Sequence, residues 1–185
     1  MPAVEQCPTW SGAARSPSSV RMGRRRSVEL LQVDGAVEVF AMPATTATVH
    51  IHATPSEVMS VLVDHERYPE LFSHIQSVDV RSAGVDTWEV DYVTRVMRDL
   101  RYRLRLTRDG DKELSWVQLE GIFTRNEGCW RLLPSDGGTR VEYVLHVELA
   151  VFLPQAITRS LTGQALPQML AQVKADVERR SQASS

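Results

Sequence analysis

From Ile75 onward, apolar and polar residues alternate with a period of two for about 75 residues, the spacing that sends successive strand side chains to opposite faces. Turn residues divide this stretch into strands over Ile75–Ser82, Thr87–Val96, Leu100–Arg108, Glu113–Gly121, Glu127–Leu133 and Thr139–Val151. The breaks are Ser82-Ala83-Gly84, Arg108-Asp109-Gly110-Asp111 and Ser135-Asp136-Gly137-Gly138. Asp-Gly and Gly-Gly accept the positive φ of tight hairpins, so the strands are expected to form an antiparallel meander. Upstream, Ala47, Val49 and Ile51 alternate with Thr48, His50 and His52 as one more half-buried strand. Val37–Phe40 reads as a short edge strand ended by Pro43.

Two segments carry the helical period instead. Thr54-Pro55-Ser56-Glu57 has the composition of a capping box with proline in the first turn, and Val58, Met59, Val61 and Leu62 follow as an apolar face ending near Asp64-His65. Glu66–Phe72, with Pro69 near its start, reads as a second short helix or turn. After Pro154, residues Ile157, Leu161, Ala165, Met169, Val173 and Val177 recur every fourth position. Pro167 predicts a kink or a short helix before a longer one over about 167–180. The expected fold is α+β: a curved sheet of six to seven antiparallel strands wrapped around a long C-terminal helix, with two short helices after the first strand. Only that last helix is long and apolar enough to cover the sheet.

Composition narrows the class. The chain has 185 residues, 43% apolar and 24% charged, with a net charge of −2, which fits one globular domain. No run of about 18 apolar residues exists to cross a membrane as a helix. Two cysteines, Cys7 and Cys129, are too few for a disulfide framework or a four-thiolate zinc site. Residues 1–26 hold five arginines against one acid and almost no periodic apolar positions. Residues 1–32 therefore read as a disordered basic arm, 33–181 as the domain and 182–185 as a tail. The arginine cluster is not followed by an apolar core, so no export signal is read and a cytoplasmic location is expected.

Three segments carry a family resemblance. Val61-Leu62-Val63-Asp64-His65-Glu66-Arg67-Tyr68-Pro69-Glu70-Leu71-Phe72 is similar to a V-x-D-x-x-x-Y-P-x-F pattern. Leu119-Glu120-Gly121-Ile122-Phe123 is similar to x-x-G-P-F, with Ile122 in place of proline. Gly128-Cys129-Trp130-Arg131-Leu132, followed by Gly138-Thr139-Arg140-Val141-Glu142-Tyr143, is similar to G-x-W-x-F and T-x-V-x-Y. Together they resemble the START-like (SRPBCC) superfamily, in its polyketide cyclase/dehydrase and coenzyme Q-binding branch, over residues 46–180. The resemblance implies a helix-grip fold and a hydrophobic small-molecule partner such as a quinone, lipid or polyketide.

On the sheet face expected to meet the helix, alternation places Trp88, Tyr92, Tyr102, Leu104, Trp130 and Tyr143, with Phe123 in a strand connection. Leu166, Met169, Leu170 and Val173 face them from the helix. These residues are the expected lining of a ligand cavity, which the resemblance implies and periodicity alone cannot distinguish from plain core. Gln118 and Glu120 share the phase of Leu114 and Trp116, so the inward face of that strand stays open.

Catalytic and metal chemistry find little footing. His50 and His52 form an H-x-H pair without an assignable third ligand. Asp64, His65 and Glu66 could do acid–base work but read as helix termination and salt linkage. Cys129 lies mid-strand in opposite phase to Trp130 and reads as inert. No cofactor motif is seen. Arg101, Arg103 and Arg105 share one strand face; pairing with Glu89 and Asp91 on the neighbouring strand accounts for them, and weak contact with RNA or anionic lipid is the alternative. The leading expectation is a non-enzymatic carrier or sensor of a hydrophobic small molecule. The alternatives are a polyketide cyclase or aromatase and a ribosome- or RNA-associated module.

Overall fold

A computed structural model of the chain describes residues 40–41, 45–95, 99–149 and 165–183. The expected basic arm and the segment before the last helix lie outside these residues. Strand β1 (Phe40–Ala41) and strand β2 (Thr45–Ile51) both pair with β8 (Gly138–Leu149). The sheet continues through β7 (Phe123–Ser135), β6 (Glu113–Gly121), β5 (Asp99–Asp109) and β4 (Thr87–Arg95) to β3 (Ile75–Ala83) at the far edge. Eight strands thus fill seven positions, every pairing is antiparallel, and the meander runs in sequence order from β3 to β8.

Helix α1 (Pro55–Leu62) follows β2 and begins as its composition predicts. The Glu57 backbone amide donates to Thr54 Oγ1 at 3.3 Å, and the Thr54 amide donates to Glu57 Oε2 at 2.7 Å, satisfying two groups a helix start leaves open. A single 3-10 turn over His65–Arg67 then leads into α2 (Tyr68–Leu71). The last helix, α3 (Ala165–Ala183), begins slightly before and ends slightly beyond its expected limits. Pro167 lies in its first turn, where a missing amide removes no intrahelical bond.

The core lies between the sheet and α3. Leu166, Leu170, Val173 and Val177 of the helix pack with Val90, Leu104, Leu106, Leu114, Leu132 and Val141 of the sheet, and with Val58, Met59 and Leu62 of α1. This is the expected helix-grip arrangement. Four strand irregularities shape the sheet, two in β3, one between β5 and β6, and one at the start of β7. Such bulges bend a strand and strengthen its twist, which curves the sheet over the helix.

Two expectations change here. Arg103 pairs with Glu120 while Leu104 pairs with Gln118, so Leu119 is an extra residue that reverses the phase of β6. Gln118 therefore stays with the inward row of Leu114 and Trp116, whereas Glu120 turns outward to Arg103, 3.3 Å away. Phe123 is the first residue of β7 rather than part of a connection, paired with Leu149.

Candidate functional site

The inward sheet face is built of aromatic rings in register. Tyr92 on β4 lies across from Tyr102 on β5, and their rings stack at 5.5 Å. Tyr102 meets the Phe123 edge at 5.3 Å, and Tyr68 of α2 approaches Tyr92 at 6.3 Å. On β8, Tyr143 sits between Trp130, 4.4 Å away, and Trp116, stacked at 5.4 Å. Offset and edge contacts of this kind are the preferred geometries of aromatic pairs.

Two glycines make room for these rings. Trp116 lies across from Gly128, where a Cβ would come within 2.5 Å of the indole and would also strike the Val144 carbonyl. The Trp116 Nε1 then donates to Asn126 Oδ1 at 3.2 Å. Gly121 lies across from Tyr102 with φ +138°, a conformation L residues rarely take, and a Cβ there would stand 2.5 Å from Tyr102 Cβ.

Burial holds the tyrosines in their neutral form. It pushes the Tyr102 hydroxyl up to about 12 and those of Tyr68, Tyr92 and Tyr143 higher than the usual phenol range, with the neighbouring phenols adding to the effect at Tyr92 and Tyr143. The Tyr68 hydroxyl donates to the Leu62 carbonyl at 2.6 Å, and Tyr102 shares a hydrogen bond with Thr94. Gln118 Nε2 donates to the Phe123 carbonyl at 2.6 Å, leaving its buried Oε1 without a donor among the described residues.

The structure therefore gathers Tyr92, Tyr102, Phe123, Trp130 and Tyr143 on one wall, with Leu104 between the two ring groups and Leu166, Leu170 and Val173 buried opposite. Met169 is half-buried at the helix margin. Trp88 is partly buried against the same core, in the register row of Leu106 and Trp116, with its ring edge-on to His65 at 5.5 Å. Sequence reading omitted Tyr68, Trp116, Gln118 and Asn126. Tyr68 lay inside a segment read as structural, and the phase of Trp116 was masked by the irregularity at Leu119.

The second half of α3 is held by polar contacts. Lys174 Nζ donates to the His50 carbonyl at 2.7 Å, and Glu178 Oε1 accepts from the His52 amide at 2.9 Å. Buried Asp176 pairs with Arg180 at 2.8 Å, and Arg180 reaches Asp64 at 3.3 Å, so the carboxylate after α1 serves as a helix anchor. Ser181 adds a hydrogen bond to Glu57. His65 beside them is only 2% exposed and lies edge-on to Tyr68 at 5.4 Å. Among the described residues neither of its ring nitrogens has a partner, and burial depresses its pKa to about 4 despite the Asp64 charge.

The outer sheet face is a lattice of ion pairs. Arg103 meets Asp91 at 2.6 Å and Arg105 meets Glu89 at 2.8 Å, as the register of β4 and β5 predicts. Arg131–Glu113 at 3.3 Å and the Arg125–Glu127 pair continue the pattern. Two of the three arginines considered for phosphate contact are thus engaged by carboxylates, and nothing supports contact with RNA or lipid. Cys129 is fully buried within this lattice, in outward phase. His50 and His52 lie 4.9 Å apart, ring to ring, and the described residues hold no cluster of three metal-ligating side chains. No helix among them is long and apolar enough to cross a membrane.

Comparison with known proteins agrees with this geometry. Residues 51–174 match the family described as polyketide cyclase / dehydrase and lipid transport. No curated protein matches the sequence. Among solved structures, a protein from Thermus thermophilus is 25% identical with a TM-score of 0.64, covering 77% of this chain and 99% of its own. The Zhui aromatase/cyclase from Streptomyces sp. R1128 is 21% identical with a TM-score of 0.66, covering 77% and 98%. A STAR-related lipid transfer protein from Xanthomonas axonopodis is 15% identical with a TM-score of 0.60, covering 80% and 97%.

Proposed function

The chain belongs to the polyketide cyclase / dehydrase and lipid transport family, and from that premise we propose that it binds and carries or senses a hydrophobic small molecule between the inward sheet face and α3. The observation that supports this most is the wall of Tyr92, Tyr102, Trp116, Trp130 and Tyr143: large apolar rings gathered on one face. Apolar burial drives association at roughly 25 cal/mol per Å² before the costs of ordering are subtracted. Organic extraction of the protein purified from its source organism, followed by mass spectrometry, should yield an apolar compound absent from a heat-denatured control. Failure to recover any such compound, together with no binding of apolar probes, removes the proposal.

A cyclase-type activity is the second reading. The specific observation in its favour is a set of tyrosines kept protonated by burial, able to donate to an enolising carbonyl. The aromatase/cyclase neighbour shares the fold. On this reading a Tyr92→Phe or Tyr143→Phe change abolishes turnover of a bound poly-carbonyl substrate while leaving its binding largely intact.

A further inference from the structure

We propose that His50 and His52, at the end of β2, hold a divalent transition-metal ion through their two imidazoles, with water completing its coordination. The first ground is spacing. The two rings stand edge to face, with centres 4.9 Å apart and planes inclined at 70°. An imidazole nitrogen lies about 2.0–2.1 Å from a bound zinc ion and the ring centre roughly 1 Å beyond, so two rings on one ion at a near-tetrahedral angle have centres about 5 Å apart. The second ground is the tautomer. His52 Nδ1 lies 3.2 Å from the Gly137 carbonyl, which can only accept, so Nδ1 carries the proton and Nε2 presents its lone pair. A ring N–H given to a backbone carbonyl is the support that orients metal-bound histidines.

The third ground is the backing of the two residues. The His50 carbonyl accepts from Lys174 Nζ at 2.7 Å, and the His52 amide donates to Glu178 Oε1 at 2.9 Å. Ile51 between them is fully buried, so α3 and the core pin the backbone that carries both rings. A segment fixed before the ion arrives has less ordering cost to meet on binding. The neighbouring charges cancel. Lys174 pairs with Glu178 at 3.6 Å, and Arg140, across from His50 on β8, pairs with Glu142. Among the described residues no third His, Cys, Asp or Glu completes a ligand set. The site therefore suits an ion that accepts two imidazoles and water, Cu(II), Ni(II) or Zn(II), and not Mg(II) or Ca(II), which take oxygen ligands.

Isothermal titration of the full chain with nickel chloride tests this, beside a Cys7→Ser chain that removes the residue-7 thiol as a competing ligand. One Ni(II) should bind per chain, Cu(II) should bind more tightly, and Mg(II) should not bind. His50→Gln and His52→Gln should each weaken Ni(II) binding at least about tenfold, since a single imidazole loses the effective concentration its neighbour supplies. His146→Gln, on β8 beside Glu148, should leave it unchanged. If a variant fails to fold, electron paramagnetic resonance of Cu(II) on the parent chain decides, with coupling to two equatorial nitrogens expected. The proposal is overturned by binding that survives both substitutions, by binding lost in Cys7→Ser, or by equal binding of Mg(II). A Cu(II) signal with fewer than two nitrogens, or no Ni(II) binding up to about 1 mM, overturns it equally. The hydrophobic-ligand reading is independent of every one of these outcomes.

Discussion

His65 sits where a carbon side chain would be better accommodated. Its ring is 2% exposed, lies between Tyr68 and Trp88, and carries two nitrogens with no partner among the described residues, each a desolvation penalty of about 1–3 kcal/mol. Burial lowers its pKa from 6.5 to about 4, while the unfolded chain titrates near 6.5. Above pH 6.5 both states are neutral and this group contributes nothing to pH dependence. Between 6.5 and 4 the unfolded state takes up the proton and the folded state does not, so stability falls as pH falls. The full loss is about 3 kcal/mol at 1.4 kcal/mol per unit. Urea denaturation from pH 7 to pH 4.5 should show this slope in the parent chain and a much shallower one in His65→Phe. At pH 7 the Phe variant should be at least as stable. Parallel pH profiles for the two proteins would refute the assignment. The same burial keeps the imidazole away from acid–base work at neutral pH, which agrees with the reading of this motif as architecture.

At the scale of elements, the strands and their faces follow from sequence because alternation and turn residues act locally. The hairpins at Asp109-Gly110 and Gly137-Gly138 fall where the dipeptides place them, and the Arg103–Asp91 and Arg105–Glu89 pairs follow from the antiparallel register. Leu119 was not legible, because an extra residue in β6 is set by its pairing with β5 rather than by any local preference. The start of β7 at Phe123 was missed for a related reason: the irregular register there interrupts the alternation that marks a strand. The anchoring of α3 was hidden as well, since it joins residues more than a hundred positions apart, as in Arg180–Asp64. Asp176 is the centre of that anchor, being 4% exposed and held by Arg179 and Arg180. Removing one partner of a fully buried pair costs roughly 3–5 kcal/mol, but Arg180 is about one-third exposed and can rehydrate. Asp176→Ala should therefore lower stability by about 2 kcal/mol in chemical denaturation. A loss under about 0.5 kcal/mol, the size of an ordinary surface change, would show that the anchor carries little of the helix docking.

Taken as a whole, the molecule separates charge from ring. The outer sheet face is laced with arginine–carboxylate pairs, the inner face is aromatic and neutral, and α3 divides along its length between the two styles of contact. Its second half is tied by Lys174, Glu178, Arg180 and Ser181 to the end of β2, to α1 and to the turn after α1. Its first half carries Leu166, Met169 and Leu170 against the core, and no side-chain hydrogen bond or ion pair holds residues 166–173 among the described residues. Apolar contacts are non-directional and tolerate sliding, whereas a hydrogen-bonded ion network fixes one geometry. A ligand on the aromatic wall would meet the first half, so that half has both the freedom and the reason to respond to it. Local opening free energies differ along a structure according to such contacts. Hydrogen–deuterium exchange of the free chain should therefore show slow amides over 176–180 and faster ones over 170–172. Ligand that binds only the closed form adds RT ln(1 + [L]/Kd), about 2.7 kcal/mol at a hundredfold excess over Kd. A saturating apolar ligand should slow exchange over 170–172 by up to about a hundredfold and change 176–180 much less. Uniform protection along α3 before ligand, or a ligand effect confined to its second half, would contradict this division of the helix.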